Sequence, residues 1–336
     1  MPERPIILTL TKMAESGLDA LRAAGELRFA SSLEPGVLHR EIACADALVI
    51  RTAGTIDAAL MDAAPRLRVI GRHGVGYDQV DVAAATARGI QVVYTPGANT
   101  EAVAEHAFAF MIGLSKHFPL HMASLVAGRY NDRTRYVGRD LADRTIGIVG
   151  FGRIGKRVGE LAKVAFGMDV VYADVVAPPP QAEARAGARR VGLDELLAVG
   201  EYVTLHVPLD DSTRRMIDRS ALARMRADAI LVNTCRGPVV DEQAVAEAFD
   251  AGRLWGYGAD VYDVEPPPAD HPLIFGRSGR NVMLTPHSAA QTVESLRNMA
   301  DGVAEDVVGV LEGRAPVNPV NDPAEVALAR RTLGKD

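Results

Sequence analysis

Three charged residues stand where a parallel sheet would deliver them to one edge. Arg236 follows "AILVNTC", Glu265 follows "GYGADVYDV" and His287 follows "NVMLTP". Ligands of open parallel sheets collect at the carboxyl ends of the strands. A histidine there can give a proton, near neutral pH, to the alkoxide left when hydride reaches a ketone. A neighbouring carboxylate would orient the imidazole and favour its charged form. The planar fork of an arginine suits holding a carboxylate and polarising the carbonyl beside it. Taken singly, each has a plainer reading: Arg236 as a surface ion-pair partner, His287 as a satisfied loop histidine.

A glycine-rich turn lifts the trio above those readings. "GIVGFGRIGKRVG", residues 147–159, places Gly150, Gly152 and Gly155 in a G-x-G-x-x-G pattern after the strand "TIGIVG". In such a turn the first glycine allows the tight bend, the second lets backbone approach a pyrophosphate, and the third lets helix and strand pack closely. A helix with Ile154, Val158, Leu161, Ala162, Ala165 and Phe166 on one face follows, with Gly167 as its C-cap, and then "DVVYAD" ends at Asp174. The helix N-terminus suits phosphates, and Asp174 suits both ribose hydroxyls. Asp174 also argues for NAD over NADP, since a carboxylate repels a 2′-phosphate and Val175 and Val176 offer no arginine to receive one. A magnesium-nucleotide P-loop is a near match, but Arg157 stands where its Ser/Thr is needed.

Short β-branched runs alternating with alanine-rich helices must position these groups. Strands are expected at Ile6–Leu10, Ala47–Ile50, Leu67–Ile70 and Ile90–Tyr94, then at Ile146–Val149, Asp169–Tyr172, Tyr202–Val207, Ile230–Asn233 and Val282–Leu284. The alternation implies two α/β blocks with parallel sheets, meeting near residue 100. One long helix is expected from about Asn99 to Lys116, with Glu101 in its first turn. Another is expected from about Ala290 to Glu312, with Val293, Leu296, Ala300, Val303, Val307 and Leu311 at helical spacing. Pro178–Pro180 reads as a loop, "ARAGARR" (Ala184–Arg190) as a solvated face, and the charged tail after "APVNPVNDP" as frayed.

Composition sets the class. The 336 residues are 48% hydrophobic and 24% charged, which suits two globular domains. No apolar run approaches a membrane span, and the first residues lack the order of a signal peptide. Two cysteines, Cys44 and Cys235, argue against a disulfide framework or a zinc site, so no metal and a reducing cytoplasm are the expectation. A net charge of −6 with scattered arginines gives no case for nucleic acid, and no membrane partner is expected.

"NTCRGPVVDEQAV", "DVYDVEPP", "LTPHSAA", "TEAVAEHAFAFMIGL", "GVGYDQVDVAAATARGI" and "HVPLDDSTRRMI" together resemble the signatures of the D-isomer-specific 2-hydroxyacid dehydrogenases. The resemblance runs from about residue 45 to 320, with the motifs in order. It implies a Rossmann-type NAD-binding domain, residues 99–290, inserted into a flavodoxin-like substrate domain made of residues 1–98 and 291–336. That insertion would explain why the glycine turn lies mid-chain. The two long helices would be crossovers and hinge, and the cleft between domains would close over NADH and a 2-oxo acid.

By the same resemblance His287 is the acid/base, Glu265 its partner and Arg236 the substrate anchor. The pyrophosphate falls on Arg153 and Ile154, with Gly150, Gly152 and Gly155 around it, and the adenosine ribose on Asp174. His206, Val207, Pro208 and Thr213 line the cofactor, Thr234, Cys235, Asp260 and Ala289 lie near the nicotinamide, and Asn99 and Val103 begin the hinge helix. Backbone amides of Val75 and Gly76 receive the substrate carboxylate. Arg51 and His73, near strand ends, are candidates for a phosphate or second carboxylate. This makes 3-phosphoglycerate or another polar acid the favoured substrate, over phenylpyruvate types.

The chain departs from the family at Gln79, where asparagine is common, at Ser288-Ala289-Ala290, and at Cys235, often Ser or Ala and read here as packing. Formate enzymes carry glutamine where Glu265 stands, and phosphite enzymes a lysine near the "HGVGYD" loop. An NAD-binding corepressor-like regulator is the rival of another class. With the chain ending at residue 336, the serine control of longer phosphoglycerate dehydrogenases is not expected. A homodimer is expected, with the segment from about Leu120 to Leu141 as an arm over the partner.

Overall fold

The computed structural model describes residues 4–51, 54–274 and 279–335; residues 1–3, part of the stretch read for a targeting signal, lie outside the described residues. The chain divides into two compact units, Met1–Asn99 with Gln291–Asp336, and Thr100–Ala290.

The first unit is built on five parallel strands: β1 (Ile6–Thr9), β2 (Glu26–Phe29), β3 (Ala47–Ile50), β4 (Val69–Arg72) and β5 (Gln91–Val93). Their order is β2-β1-β3-β4-β5, the flavodoxin-like arrangement. Ile7, Leu48, Ile50, Ile70 and Val92 are buried in its core. The helix Val293–Leu311 lies against β4, and Gly71 is what lets it close in: a Cβ there would stand 2.5 Å from Val307 Cγ2.

The second unit has seven parallel strands: β6 (Thr145–Val149), β7 (Asp169–Ala173), β8 (Ala188–Arg190), β9 (Tyr202–Leu205), β10 (Ile230–Asn233), β11 (Gly256–Ala259) and β12 (Val282–Leu284). The order β12-β11-β10-β9-β6-β7-β8 reverses direction between β6 and β9. That reversal is the topological switch point of a Rossmann sheet, where dinucleotides bind. The helix Thr100–Ser115 buries Ala104, Ala107, Phe110, Met111 and Leu114 against this core.

Several expectations need correction. "ARAGARR" is not simply a solvated face: it ends the helix Pro180–Ala186, turns at Gly187 (φ 56°) and supplies the edge strand β8. Pro180 is itself the first residue of that helix, where a missing N–H costs nothing. The tail forms the helix Pro323–Thr332, started by Asp322, whose side chain accepts the Ala324 N–H. β4 begins at Val69 rather than Leu67. Val293 and Ala165 are exposed rather than packed on their helices' buried faces.

Candidate active site

The glycine turn assigns each glycine a distinct physical role. Gly150 has φ 89°, and a Cβ there would lie 2.6 Å from the His206 carbonyl oxygen. At Gly155 a Cβ would lie 2.1 Å from the Gly150 carbonyl oxygen, so helix and turn meet backbone to backbone. At Gly152 nothing lies within 4 Å of such a Cβ, which leaves an open approach to backbone. The helix Arg153–Phe166 starts there with no side-chain cap, so its first-turn N–H groups, including those of Arg153 and Ile154, are open to an anion. The open cradle and uncapped helix fit a pyrophosphate. Arg157 is occupied elsewhere, paired with Glu101 at 2.6 Å.

Asp174, just past β7, is held at the rim of this turn. One carboxylate oxygen accepts the Phe151 N–H at 2.6 Å and the other the Val176 N–H at 2.8 Å. Arg190, 16 residues on, donates to the Asp174 carbonyl at 2.6 Å. Reading Val175 and Val176 alone missed this arginine, because the pairing of β7 with β8 is what brings it there.

Beyond the turn, the ends of β9 and β10 carry further residues assigned to the cofactor. His206 follows β9, with Nε2 2.9 Å from the Thr204 hydroxyl and a buried Nδ1 that has no partner among the described residues. Burial pushes its pKa down to about 3, so it is neutral at physiological pH. Thr213 donates to the Pro208 carbonyl at 2.7 Å and accepts the Asp210 N–H at 2.9 Å, closing the loop after Val207. After β10, the Thr234 hydroxyl is buried without a partner among the described residues. The Cys235 thiol donates to Asn233 at 3.1 Å, and burial pushes its pKa up to about 11, which suits packing rather than reactivity. Val103 is buried on the helix Thr100–Ser115.

The trio sits at the ends of β10, β11 and β12. His287 Nδ1 lies 2.7 Å from Glu265 Oε2, and the other Glu265 oxygen accepts the Tyr262 N–H at 3.1 Å. Burial raises the Glu265 pKa. The His287 hydrogen bond and charge, the Tyr262 N–H and the Arg236 charge outweigh it, and the carboxyl lies below its ordinary range. Arg236 donates to the Cys235 carbonyl at 2.7 Å.

Asn233 and Gly237, outside the expected set, build this geometry together with Asp260, which was expected only near the nicotinamide. Asn233 accepts the Cys235 N–H at 3.1 Å and donates to the Arg236 carbonyl at 2.9 Å, shaping the turn that presents Arg236. At Gly237 a Cβ would lie 1.8 Å from the Tyr262 carbonyl carbon, so the Arg236 and Glu265 loops touch through backbone. His287 itself adopts φ 52°, a left-handed conformation costly to a residue with a Cβ. Asp260 holds it there. Its carbonyl accepts the His287 N–H at 2.8 Å, and its carboxylate accepts the Ser288 N–H at 2.7 Å and the Ala289 N–H at 2.8 Å.

In the first unit, the loop after β4 carries the candidate carboxylate amides. Val75 and Gly76 donate their N–H groups to no acceptor among the described residues. The buried Arg72, unnoticed in the sequence, braces this loop by donating to the carbonyls of His73 and Gly76, each at 2.5 Å. Arg51 makes no hydrogen bond or ion pair among the described residues, and burial pulls its pKa down. His73 is fully buried, and neither ring nitrogen has a partner at hydrogen-bond geometry among the described residues. Burial, then the charges of Arg51 and Arg72, push it to about 4, a placement that does not suit direct ligand contact. The Asn99 side-chain oxygen is buried without a partner among the described residues.

Known proteins resemble this chain in sequence and fold. Residues 108–289 match the family model described as D-isomer specific 2-hydroxyacid dehydrogenase, NAD binding domain. A glyoxylate reductase from Korarchaeum cryptofilum is 37% identical over 95% of this chain and 96% of its own length. D-3-phosphoglycerate dehydrogenase 2 of Arabidopsis thaliana is 37% identical over 95% of this chain. The chain spans only 50–61% of the length of that protein and of the archaeal D-3-phosphoglycerate dehydrogenases it also matches. A glyoxylate reductase structure from Paecilomyes thermophila superposes with a TM-score of 0.85 at 30% identity, covering 95% of this chain and 99% of its own. The chain belongs to the D-isomer-specific 2-hydroxyacid dehydrogenase family, and its second unit carries the family's NAD-binding domain.

Proposed function

We propose that the protein interconverts a D-2-hydroxy acid and its 2-oxo acid with NAD as the hydride carrier. The observation that carries this is the 2.7 Å His287–Glu265 pair, fixed at the strand ends of a sheet whose switch point bears the open glycine cradle. Bound NADH would supply the hydride. His287 would give its proton to the oxygen that becomes the alkoxide, and Glu265 holds its imidazole. Arg236 would grip the substrate carboxylate and polarise the adjacent carbonyl. Arg153 and Ile154 would cradle the pyrophosphate, Asp174 the ribose, and the residues from His206 to Ala289 assigned above the rest of the cofactor. In the first unit, the free amides of Val75 and Gly76 would bind carboxylate.

Arg51, half-buried and without a hydrogen-bond or ion-pair partner among the described residues, favours a substrate with a second anionic group, of which 3-phosphoglycerate is one. The phosphoglycerate dehydrogenases and glyoxylate reductases among the relatives make polar, small acids the class to assay first. NADH oxidation against a panel of 2-oxo acids tests both points. Turnover confined to uncharged, aromatic 2-oxo acids would remove Arg51 from substrate recognition.

We further propose a homodimer through the segment Leu120–Leu141. It forms the helix Phe118–Val126 and a 3₁₀ turn at Tyr130–Thr134. Met122, Leu125, Val126, Tyr130 and Val137 are 64–90% exposed, an apolar set that burial would stabilise. Light scattering should give twice the chain mass of 35.8 kDa; a monomer at micromolar concentration would refute it. Free Cys44 and Cys235 fit a reducing, cytoplasmic setting. Among the described residues, no helix is long and apolar enough to cross a membrane.

A further inference from the structure

His287 must be held in its left-handed conformation by something, and the holding group, Asp260, is itself held. Asp260 is 1% exposed, and its two oxygens accept the Ser288 and Ala289 N–H groups. The Thr285 hydroxyl lies 2.5 Å from the oxygen that also receives Ser288. Against an acceptor of that kind the hydroxyl is the donor, so its own oxygen is left to accept. His106 Nε2, from the helix Thr100–Ser115, lies 2.9 Å from that oxygen. The bonds therefore converge on Asp260: His106 Nε2–H donates to Thr285, the Thr285 O–H donates to Asp260, and the Ser288 and Ala289 N–H groups donate to Asp260 from the side of the His287 loop. This fixes His106 as the Nε2–H tautomer. Its ring is set edge-on against Phe110, with centroids 4.6 Å apart, and packing thereby locks the donor's aim.

Thr285 also reaches the carboxylate side of the pair. Its carbonyl accepts the Tyr262 hydroxyl at 2.9 Å, and the Tyr262 N–H is the group held by Glu265. Its N–H donates to Ala259 at 3.0 Å, the last residue of β11. One threonine thus ties the strand end, the Glu265 loop and the His287 loop together, and one histidine from a neighbouring helix polarises it.

We infer that His106 and Thr285 are positioning residues: they orient Asp260 so that it clamps the 287–289 loop and keeps the His287 imidazole on Glu265. The inference rests on the proposed dehydrogenase reading for its kinetic consequence, but not for its structural one. Thr285→Val keeps shape and removes the hydroxyl, leaving His106 and Asp260 each short of a partner. Thr285→Ser keeps the hydroxyl.

The experiment is steady-state kinetics and a crystal structure of wild type, Thr285→Val, Thr285→Ser, His106→Leu and His106→Gln. Misplacing a reacting group by about an ångström costs on the order of a hundredfold. Thr285→Val and His106→Leu are therefore expected to lower kcat about ten- to a hundredfold. KM should change little, and the solvent isotope effect on kcat should grow as proton transfer limits turnover. The serine variant, and the glutamine variant that can still present an N–H, should recover most of the loss. The Thr285→Val structure should show the 287–289 loop moved and the His287–Glu265 bond lengthened. Wild-type kcat in folded Thr285→Val, an equal loss in Thr285→Ser, or a lost kcat with the loop unmoved would each overturn the inference. If wild type reduces no 2-oxo acid, the functional reading fails instead. The variant's loop then decides alone: displaced, the clamp stands; undisturbed, it falls.

Discussion

Replacing Gly155 by alanine places a methyl 2.1 Å from the Gly150 carbonyl oxygen, 3.1 Å from the Gly150 carbonyl carbon and 3.1 Å from Ile148 Cγ2. The first two are backbone atoms of the turn and cannot swing aside as a side-chain tip can. Overpacking of this kind costs about 1–3 kcal/mol or more. For a unit of this size each kcal/mol lowers Tm by about 2–4 °C, so Gly155→Ala should melt several degrees below wild type and bind NADH poorly. Gly152→Ala is the control with the opposite profile. Its φ of −73° suits alanine, and no atom lies within 4 Å of the added methyl. Its stability should stay within about 0.5 kcal/mol of wild type, or rise slightly through lost chain entropy. NADH affinity should nevertheless fall at least about tenfold, or ~1.4 kcal/mol, because the methyl fills the space in front of the backbone N–H groups. Thermal melts and NADH fluorescence titration of both variants are the assay. Wild-type NADH affinity in Gly152→Ala would show that the cradle is not the pyrophosphate site. An unchanged Tm in Gly155→Ala would show that the backbone contact is not what the glycine is for.

Arg236→Lys keeps charge but loses the fork; charge-assisted hydrogen bonds of about 1.5–3 kcal/mol imply a ten- to hundredfold fall in kcat/KM, with kcat falling too. Unchanged kcat/KM in steady-state assays would make Arg236 structural. Wild type should bind NADH tighter than NADPH by fluorescence, and Asp174→Ser should shift the ratio toward NADPH, since it removes the carboxylate while Arg190 stays beside the site. The shift should vanish with Arg190→Ala added; a shift that persists would exonerate Arg190. His73 has an ordinary pKa of 6.5 and is held at about 4 by burial. Between those values the unfolded chain takes a proton that the folded chain refuses, so stability is full above pH 6.5 and falls as pH drops toward 4. The loss is on the order of 3 kcal/mol at the bottom of that window. Urea midpoints across it should flatten in His73→Leu, and an unchanged slope would contradict the burial argument.

What was legible in the sequence follows from which forces are local. β-branched runs such as Ala47–Ile50 and Ile230–Asn233 announced buried strands because a strand covered on both faces must be apolar throughout. β2 and β8 escaped notice because they are edges: Glu26, Arg28, Arg189 and Arg190 face water on at least one side. β11, "GYGA", escaped because its apolar side chains are replaced by the space the neighbouring helix needs. A Cβ at Gly258 would lie 2.8 Å from Phe110 Cβ. The C-terminal helix hid behind its arginines, although Asp322-Pro323 is a start signal that could have found it. Arg236 and His287 were readable from their places after expected strands, and Glu265 from the run "GYGADVYDV" before it. Their supports were not, since Asp260 and Ser288 are 28 residues apart and His106 and Thr285 are 179 apart. Arg190 likewise acts through a partner 16 residues away that only folding supplies.

The central claim is that His287, paired to Glu265, moves the proton that accompanies hydride transfer to a 2-oxo acid. The direct measurement is NADH oxidation by wild type and His287→Ala with the best acid from the panel, alongside NADH titration of both. Wild type should turn over, and the variant should lose about 10²–10⁴-fold in kcat while binding NADH as wild type does. Equal turnover in the two proteins, with NADH binding intact, would contradict the account.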